Sequence, residues 1–216
     1  MTTTGPGLLA VGPWDAAQVR STWREDRYEP SPEVSAAADA AIAALRDRGS
    51  PSHDGLSARL AGFAAEPGGL ALELQPARWG LRLVGSGDAI ASHCIVRDAE
   101  GRWLAGRRAG WVATWAGRWA LGAGGAVEVG EDPTHTLVRE LEEEWSVQPE
   151  RLSVEALARL PTSLVMLVGL ARLPAGAEVV PDEEHDAFAW WPADVATWPA
   201  EADEPLRGMA ALLAER

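Results

Sequence analysis

Residues 124–145 read GGAVEVGEDPTHTLVRELEEEW, and no other stretch restricts the fold as much. Asp132 stands before Pro133, a capping residue followed by proline at the first helical position, so a helix begins there and runs to about residue 145. At about 100° per residue, Glu140, Glu143 and Glu144 fall inside one arc of about 100°, and Leu137, Val138, Leu141 and Trp145 fill the neighbouring arc. One face is core and the next is carboxylate. A solvated face is the ordinary explanation of an acidic helix, but it does not account for acid gathered on one short arc beside a glycine pair. Carboxylates this close repel one another by roughly a few tenths of a kcal/mol per pair, and by more as they are buried. A hard divalent cation removes that cost, and ligands that are all oxygen select Mg2+ or Mn2+. Arg139, four residues before Glu143, can pair with these carboxylates and hold their rotamers. Gly124 and Gly125 permit backbone conformations closed to other residues, so a carbonyl can turn toward the same ion.

The flanking sequence supplies the sheet. Residues 88–97 (ending AIASHCIVR) and 102–108 (RWLAGRR) read as strands joined by the turn DAEG at 98–101. Further strands are expected at 118–122, 152–160, 163–173 and 187–191, and a closing helix at 204–215. Strands on both sides of a central helix indicate an α/β layered fold. Upstream, Ser31 can cap a helix that has Pro32 in its first turn and Gly49 at its stop. Residues 70–75 and 79–84 alternate as a strand pair, 51–69 fit no single pattern, and 1–30 are expected to be partly ordered at best. Residues 1–85 thus read as an added α+β layer, an N-terminal extension, and 86–216 as the main domain.

In residues 125–147 the spacing resembles the Nudix box: Gly, five residues, Glu, seven residues, Arg-Glu, an aliphatic, any residue, Glu-Glu, any residue, Gly, an aliphatic. Gly125 is followed after five residues by Glu131 and after seven more by Arg139-Glu140, then Leu141, Glu142, Glu143-Glu144, Trp145, Ser146 and Val147. The one departure is Ser146, where the family has glycine; keeping the left-handed turn with serine costs about 1 kcal/mol. The likeness extends over about residues 88–200 and implies a Nudix-type α/β/α sandwich with a mixed β-sheet. It also implies a hydrolase of MutT-like descent that cleaves the pyrophosphate bond of a nucleoside diphosphate linked to another group. By the same resemblance Glu140, Glu143 and Glu144 ligate Mg2+ or Mn2+, the Gly125 carbonyl adds a ligand, and Glu131 and Arg139 orient the carboxylates. Members often take a base or further carboxylate from a loop before the last strand. PDEEHDAFAWW offers Asp182, Glu183, Glu184 and Asp186 there, of which Glu184 is the preferred choice, with His185 a neighbour.

GRRAGWVATWAGRW, at 106–119, supplies Arg107 and Arg108 for phosphates and Trp111 or Trp115 for stacking on a base. Surface ion pairs and core packing are the competing uses of these side chains. Pro161, fifteen residues beyond Ser146, resembles a marker of ADP-ribose hydrolases in the family, and no tyrosine follows the box, which disfavours dinucleoside polyphosphates. The N-terminal layer has some likeness to Nudix proteins acting on UDP-sugars. A nucleotide sugar or ADP-ribose is therefore the expected substrate class, and a homodimer the expected assembly. A Nudix-fold binding or regulatory module without catalysis is the alternative, but such modules usually lack a box glutamate and here all are present. A prenyl diphosphate isomerase would need a paired cysteine and glutamate that lone Cys94 on a strand does not offer. GSG (85–87) and GAGG (122–125) precede no Gly-Lys-Ser/Thr, so a P-loop is excluded.

A formal charge of −13 argues against a nucleic-acid surface, which releases counterions through basic patches. No apolar run approaches the ~20 residues of a bilayer helix, and the start MTTTGPGLLAVGPW lacks the pattern of a signal peptide, so a cytoplasmic protein is expected. Cys94, the single cysteine, excludes an internal disulfide and reads as a buried strand residue.

Overall fold

The computed structural model describes residues 6–50, 54–66 and 68–214. Eleven strands are found among them: β1 (Gly7–Asp15), β2 (Val19–Trp23), β3 (Leu56–Glu66), β4 (Gly69–Arg78), β5 (Ile90–Arg97), β6 (Trp103–Arg108), β7 (Trp119–Leu121), β8 (Ala123–Ala126), β9 (Arg151–Arg159), β10 (Val165–Arg172) and β11 (His185–Trp191). Three α-helices accompany them: α1 (Pro32–Asp47), α2 (Pro133–Trp145) and α3 (Glu204–Leu213). The larger sheet runs β1-β9-β10-β5-β6-β11, with β7 beside β6 and β8 beside β5; β10 and β5 are parallel and their other partners antiparallel. The smaller sheet is β2-β4-β3.

Strand period decides the layers. Along β5, Ile90, Cys94 and Val96 face one side, where they join Leu137, Leu141 and Trp145 of α2, while Ala91 and Ile95 face the other, with Trp191, Trp198, Ala210 and Leu213. Both faces are covered, so the expected α/β/α sandwich with a mixed sheet is present. Cys94 is fully buried, as its sequence setting predicted, and burial pushes its thiol well up from the usual range.

Three expectations need correction. Residues 79–84 are not the partner of 70–75; Trp79–Val84 is a 3-10 helix and β4 pairs with β3. The reason lies outside the segment. Asp54 accepts from the Arg78 guanidinium and from the Gly80 amide at 2.9 Å, which turns the chain where its alternation would have carried it straight on. Secondly, residues 7–23 are not loosely ordered, because β9 supplies a partner for β1 from Gly7↔Arg159 to Asp15↔Ser153. Two register shifts in β1 break the alternation by which a strand is recognised, and residues 1–5 lie outside those described. Thirdly, Gly124 and Gly125 do not use a backbone conformation closed to other residues; they sit inside β8, opposite His93 and Ser92. They are needed for space: a Cβ on Gly124 would stand 2.6 Å from the His93 ring, and one on Gly125 would overlap the Glu140 carboxylate.

The expected boundary at residue 85 falls between the 3-10 helix and β5, and contacts cross it. β1 belongs to the larger sheet, Ala58 and Leu60 donate from β3 to the carbonyls of Val127 and Asp88, and Leu70, Leu72 and Leu74 share one core with Leu137 and Leu141. No helix among the described residues is long and apolar enough to cross a membrane.

Candidate active site

Helix α2 starts as its sequence dictates. The Asp132 carboxylate accepts from the Thr134 amide at 2.9 Å, and its other oxygen accepts from the Ser21 hydroxyl of β2 at 2.8 Å. Trp23 of the same strand donates its indole N–H to the Glu131 carbonyl, so the N-terminal layer grips the loop that enters the helix. At the far end Ser146 adopts the left-handed conformation, φ 55°, that glycine would have taken, and the turn is kept.

The apolar face fixes where the acid goes. Leu137, Leu141 and Trp145 are fully buried, and the adjoining Glu140 and Glu144 are carried inward with them, 8% and 5% exposed, whereas the Glu143 side chain is 57% exposed. Arg139 lies across this group. Its Nε and Nη2 donate to the two oxygens of Glu131 at 3.0 and 3.2 Å, its Nη1 meets Glu140 at 2.7 Å and Glu143 at 2.8 Å, and its Nη2 also reaches the Ala126 carbonyl. One guanidinium thus holds three box glutamates. Burial pushes Glu140 up to about 7, against the pull of Arg139 and with a further push from Glu143. Burial also raises Glu144 well above its usual range; the Gly124 amide, donating at 3.0 Å, opposes this and the charge of Glu140 adds to it.

Glu140, Glu143 and Glu144 line a cavity of about 390 Å³ together with Arg82, Arg108, Trp79, Trp111, Gly125 and Glu184. Glu184 accepts from Arg108 Nη2 at 2.8 Å, and Asp182, also on the wall, accepts from His185. Among the expected ligand-contacting residues, Arg108, Trp111 and Glu184 therefore meet Glu140, Glu143, Glu144 and Gly125 at one cavity. Arg107 does not line it: strand alternation on β6 sends it outward to Asp186, 2.6 Å away. Trp115 lines a small recess beneath, with His93 and Met166. Glu131 reaches the site only through Arg139. Sequence reasoning missed Trp79 and Arg82, because residues 79–84 read as a strand with no link to the box.

The donor set is one a divalent cation fits. Two buried carboxyls whose ionisation the fold opposes stand beside a carbonyl strand, and every donor is oxygen. Among the described residues no three His, Cys, Asp or Glu side chains are already drawn to coordination distance. Arg139, bonded to both Glu140 and Glu143, accounts for part of that arrangement.

Stability should record this carboxyl burial. Burial holds Glu140 up at about 7 in the folded chain, so its contribution to stability is fully present below the usual carboxylate range and is lost as pH rises through about 7. His93, held down to about 4 by burial, works the other way between pH 4 and 6.5. The comparison must therefore be between variants. Urea titrations in chelator should give Glu140→Gln a flatter pH dependence than wild type between pH 4.5 and 7, and added Mg2+ or Mn2+ should stabilise wild type at pH 8 more than the variant. Equal slopes in the two proteins would refute the assignment.

An α/β/α sandwich whose central helix carries this glutamate and arginine constellation has the architecture of a Nudix domain. The NUDIX domain model matches residues 88–213, more than half of the chain, and the chain belongs to that family of pyrophosphohydrolases. The structure is similar to that of the MutT protein from Methanosarcina mazei Go1, at 22% identity and a TM-score of 0.45, over 59% of this chain and 96% of that one. It is also similar to a MutT NUDIX hydrolase from Burkholderia pseudomallei, at 21% identity, 58% and 97% coverage and a TM-score of 0.47. The NUDIX domain of Shewanella oneidensis NrtR, complexed with ADP ribose, is a third such structure, at 17% identity, 59% and 87% coverage and a TM-score of 0.45. No curated protein matches the chain.

Proposed function

We propose that this protein hydrolyses the pyrophosphate bond of a nucleoside diphosphate linked to another group, a nucleotide sugar or ADP-ribose, with Mg2+ or Mn2+ as cofactor. The observation that carries the proposal is that the box carboxylates and two arginines line one cavity. Glu140, Glu143, Glu144 and the Gly125 carbonyl would hold the cation. Bound there, it would neutralise diphosphate charge and lower the pKa of an attacking water. Arg139, itself fixed by Glu131, holds Glu140 and Glu143 beside one another, and the cation would draw their oxygens away from the guanidinium and together. Arg108 presents a guanidinium to the phosphates, and the indoles of Trp79 and Trp111 offer planes for a base or sugar. Glu184, 39% exposed and lining the cavity, would take a proton from the attacking water as its oxygen bonds to phosphorus and the bond from phosphorus to the bridging oxygen breaks. The products are a nucleoside monophosphate and the phosphate of the leaving group.

Product analysis over ADP-ribose, UDP-sugars, GDP-sugars, NADH, dinucleoside polyphosphates and nucleoside triphosphates, with each metal, tests this. Turnover should be confined to one class and should fall about a hundredfold in Glu143→Gln. If nucleotides bind and none is turned over, the protein is a binding module and the hydrolase reading fails.

A further inference from the structure

The cavity contains a cation that no carboxylate among the described residues pairs with. Arg82, half-buried on the 3-10 helix Trp79–Val84, lines both the main cavity and the recess beneath it. Its guanidinium has no ion pair or hydrogen bond among the described residues. This stands out in a chain with 32 acidic residues against 19 basic ones. The cavity's other arginine, Arg108, is held by Glu184, and Arg139 is held by three glutamates. Withdrawing a guanidinium from water without a counter-charge is unfavourable, and a second cation at the same cavity makes it more so. Burial first, and then Arg108, oppose the Arg82 charge, with only Glu140 favouring it from a distance.

The arginine is nonetheless held in place. Its guanidinium carbon lies 5.2 Å from the centre of the Trp79 ring, and the 3-10 helix beneath it is anchored by the bond from Gly80 to Asp54 and by the buried Leu81. We infer that Arg82 is a specificity-determining anion receptor through which the N-terminal layer completes the active site, accepting the diphosphate group of the substrate between itself and Arg108. A group with two or more negative charges relieves the repulsion between the two guanidiniums, and a single carboxylate does so only in part. The identity of the anion as part of a nucleotide rests on the function proposed above; the presence of an anion receptor does not.

Calorimetric titration of the full chain with ADP, and separately with inorganic pyrophosphate, in metal-free buffer reads the site without turnover. Arg82→Ala should weaken both probes by about 10- to 100-fold, Arg82→Lys should recover part of the loss, and Arg20→Ala, exposed on β2, should bind like wild type. In turnover, Arg82→Ala should raise KM more than it lowers kcat. Thermal unfolding of each variant shows whether the protein is folded, and if Arg82→Ala is not, Arg82→Gln takes its place. Wild-type affinity in the neutral variant, or no binding of either probe to wild type, overturns the inference. Binding that depends on Arg82 without turnover of any substrate sinks the hydrolase reading alone, and turnover indifferent to Arg82 sinks only the receptor.

Discussion

Glu144→Gln is expected to lower turnover by about a thousandfold or more while leaving the protein at least as stable as wild type. The two halves of this expectation have one cause. Glu144 is almost wholly buried, its ionisation is opposed by burial, and the charges of Glu140 and Glu184 act against it. Glutamine has the same shape, its side-chain oxygen can still accept from the Gly124 amide, and its other end still faces the His185 ring, 3.6 Å away. The substitution therefore removes a repelled, desolvated charge and no packing, which favours the folded state wherever Glu144 would otherwise be ionised. The same charge is what a divalent cation would bind. A thousandfold loss corresponds to about 4 kcal/mol of transition-state stabilisation, a reasonable share for one anionic ligand. Steady-state rates at saturating metal, beside urea unfolding at pH 8 in chelator, give both numbers. Activity within tenfold of wild type, or a large loss of stability, would show that Glu144 is structural.

How legible all this was in the sequence follows from where each determinant lies. Helix α2 is announced locally: cap, proline, apolar period and carboxylates occur within residues 132–145, and the helix found is Pro133–Trp145. Its capping residue needed no help from distant sequence, although Ser21 reinforces it across 111 residues. The pairing of Arg108 with Glu184 was not legible, because it depends on β6 lying against β11. Arg107 and Arg108 look equivalent as a sequence, and only strand alternation sends one to solvent and the other to the cavity. The 3-10 helix failed for a further reason. Residues 79–84 alternate as a strand should, and the contact that overrides the alternation comes from Asp54. Box residues were accessible because they are neighbours in sequence, whereas the rest of the cavity lining is assembled from residues as far apart as 79 and 184.

Trp145→Ala is expected to lower the free energy of unfolding by about 3–5 kcal/mol, the largest stability effect at any site residue. Trp145 occupies a variable position of the box, so the motif itself gives it no role, yet its side chain is fully buried. The indole N–H donates to the Gly122 carbonyl at 3.0 Å, and the ring packs on His185, 4.4 Å between centres, and against the edge of Phe188 at 5.9 Å. It therefore joins the last turn of α2 to β11 and to the residue preceding β8. Alanine would leave a large void and an unsatisfied buried carbonyl. Trp145→Phe should cost less, about 1–2 kcal/mol, since it keeps most of the ring contact and loses only the hydrogen bond. Urea unfolding of the two variants separates packing from bonding. The consequence for activity follows from position: Glu144 precedes Trp145 and Glu184 precedes His185, so the contact between the two tilted rings is expected to set the spacing of these carboxylates. Trp145→Phe should then keep the protein folded while reducing kcat. Full activity with the smaller ring would show that the spacing is set elsewhere, by the Arg108 bridge to Glu184.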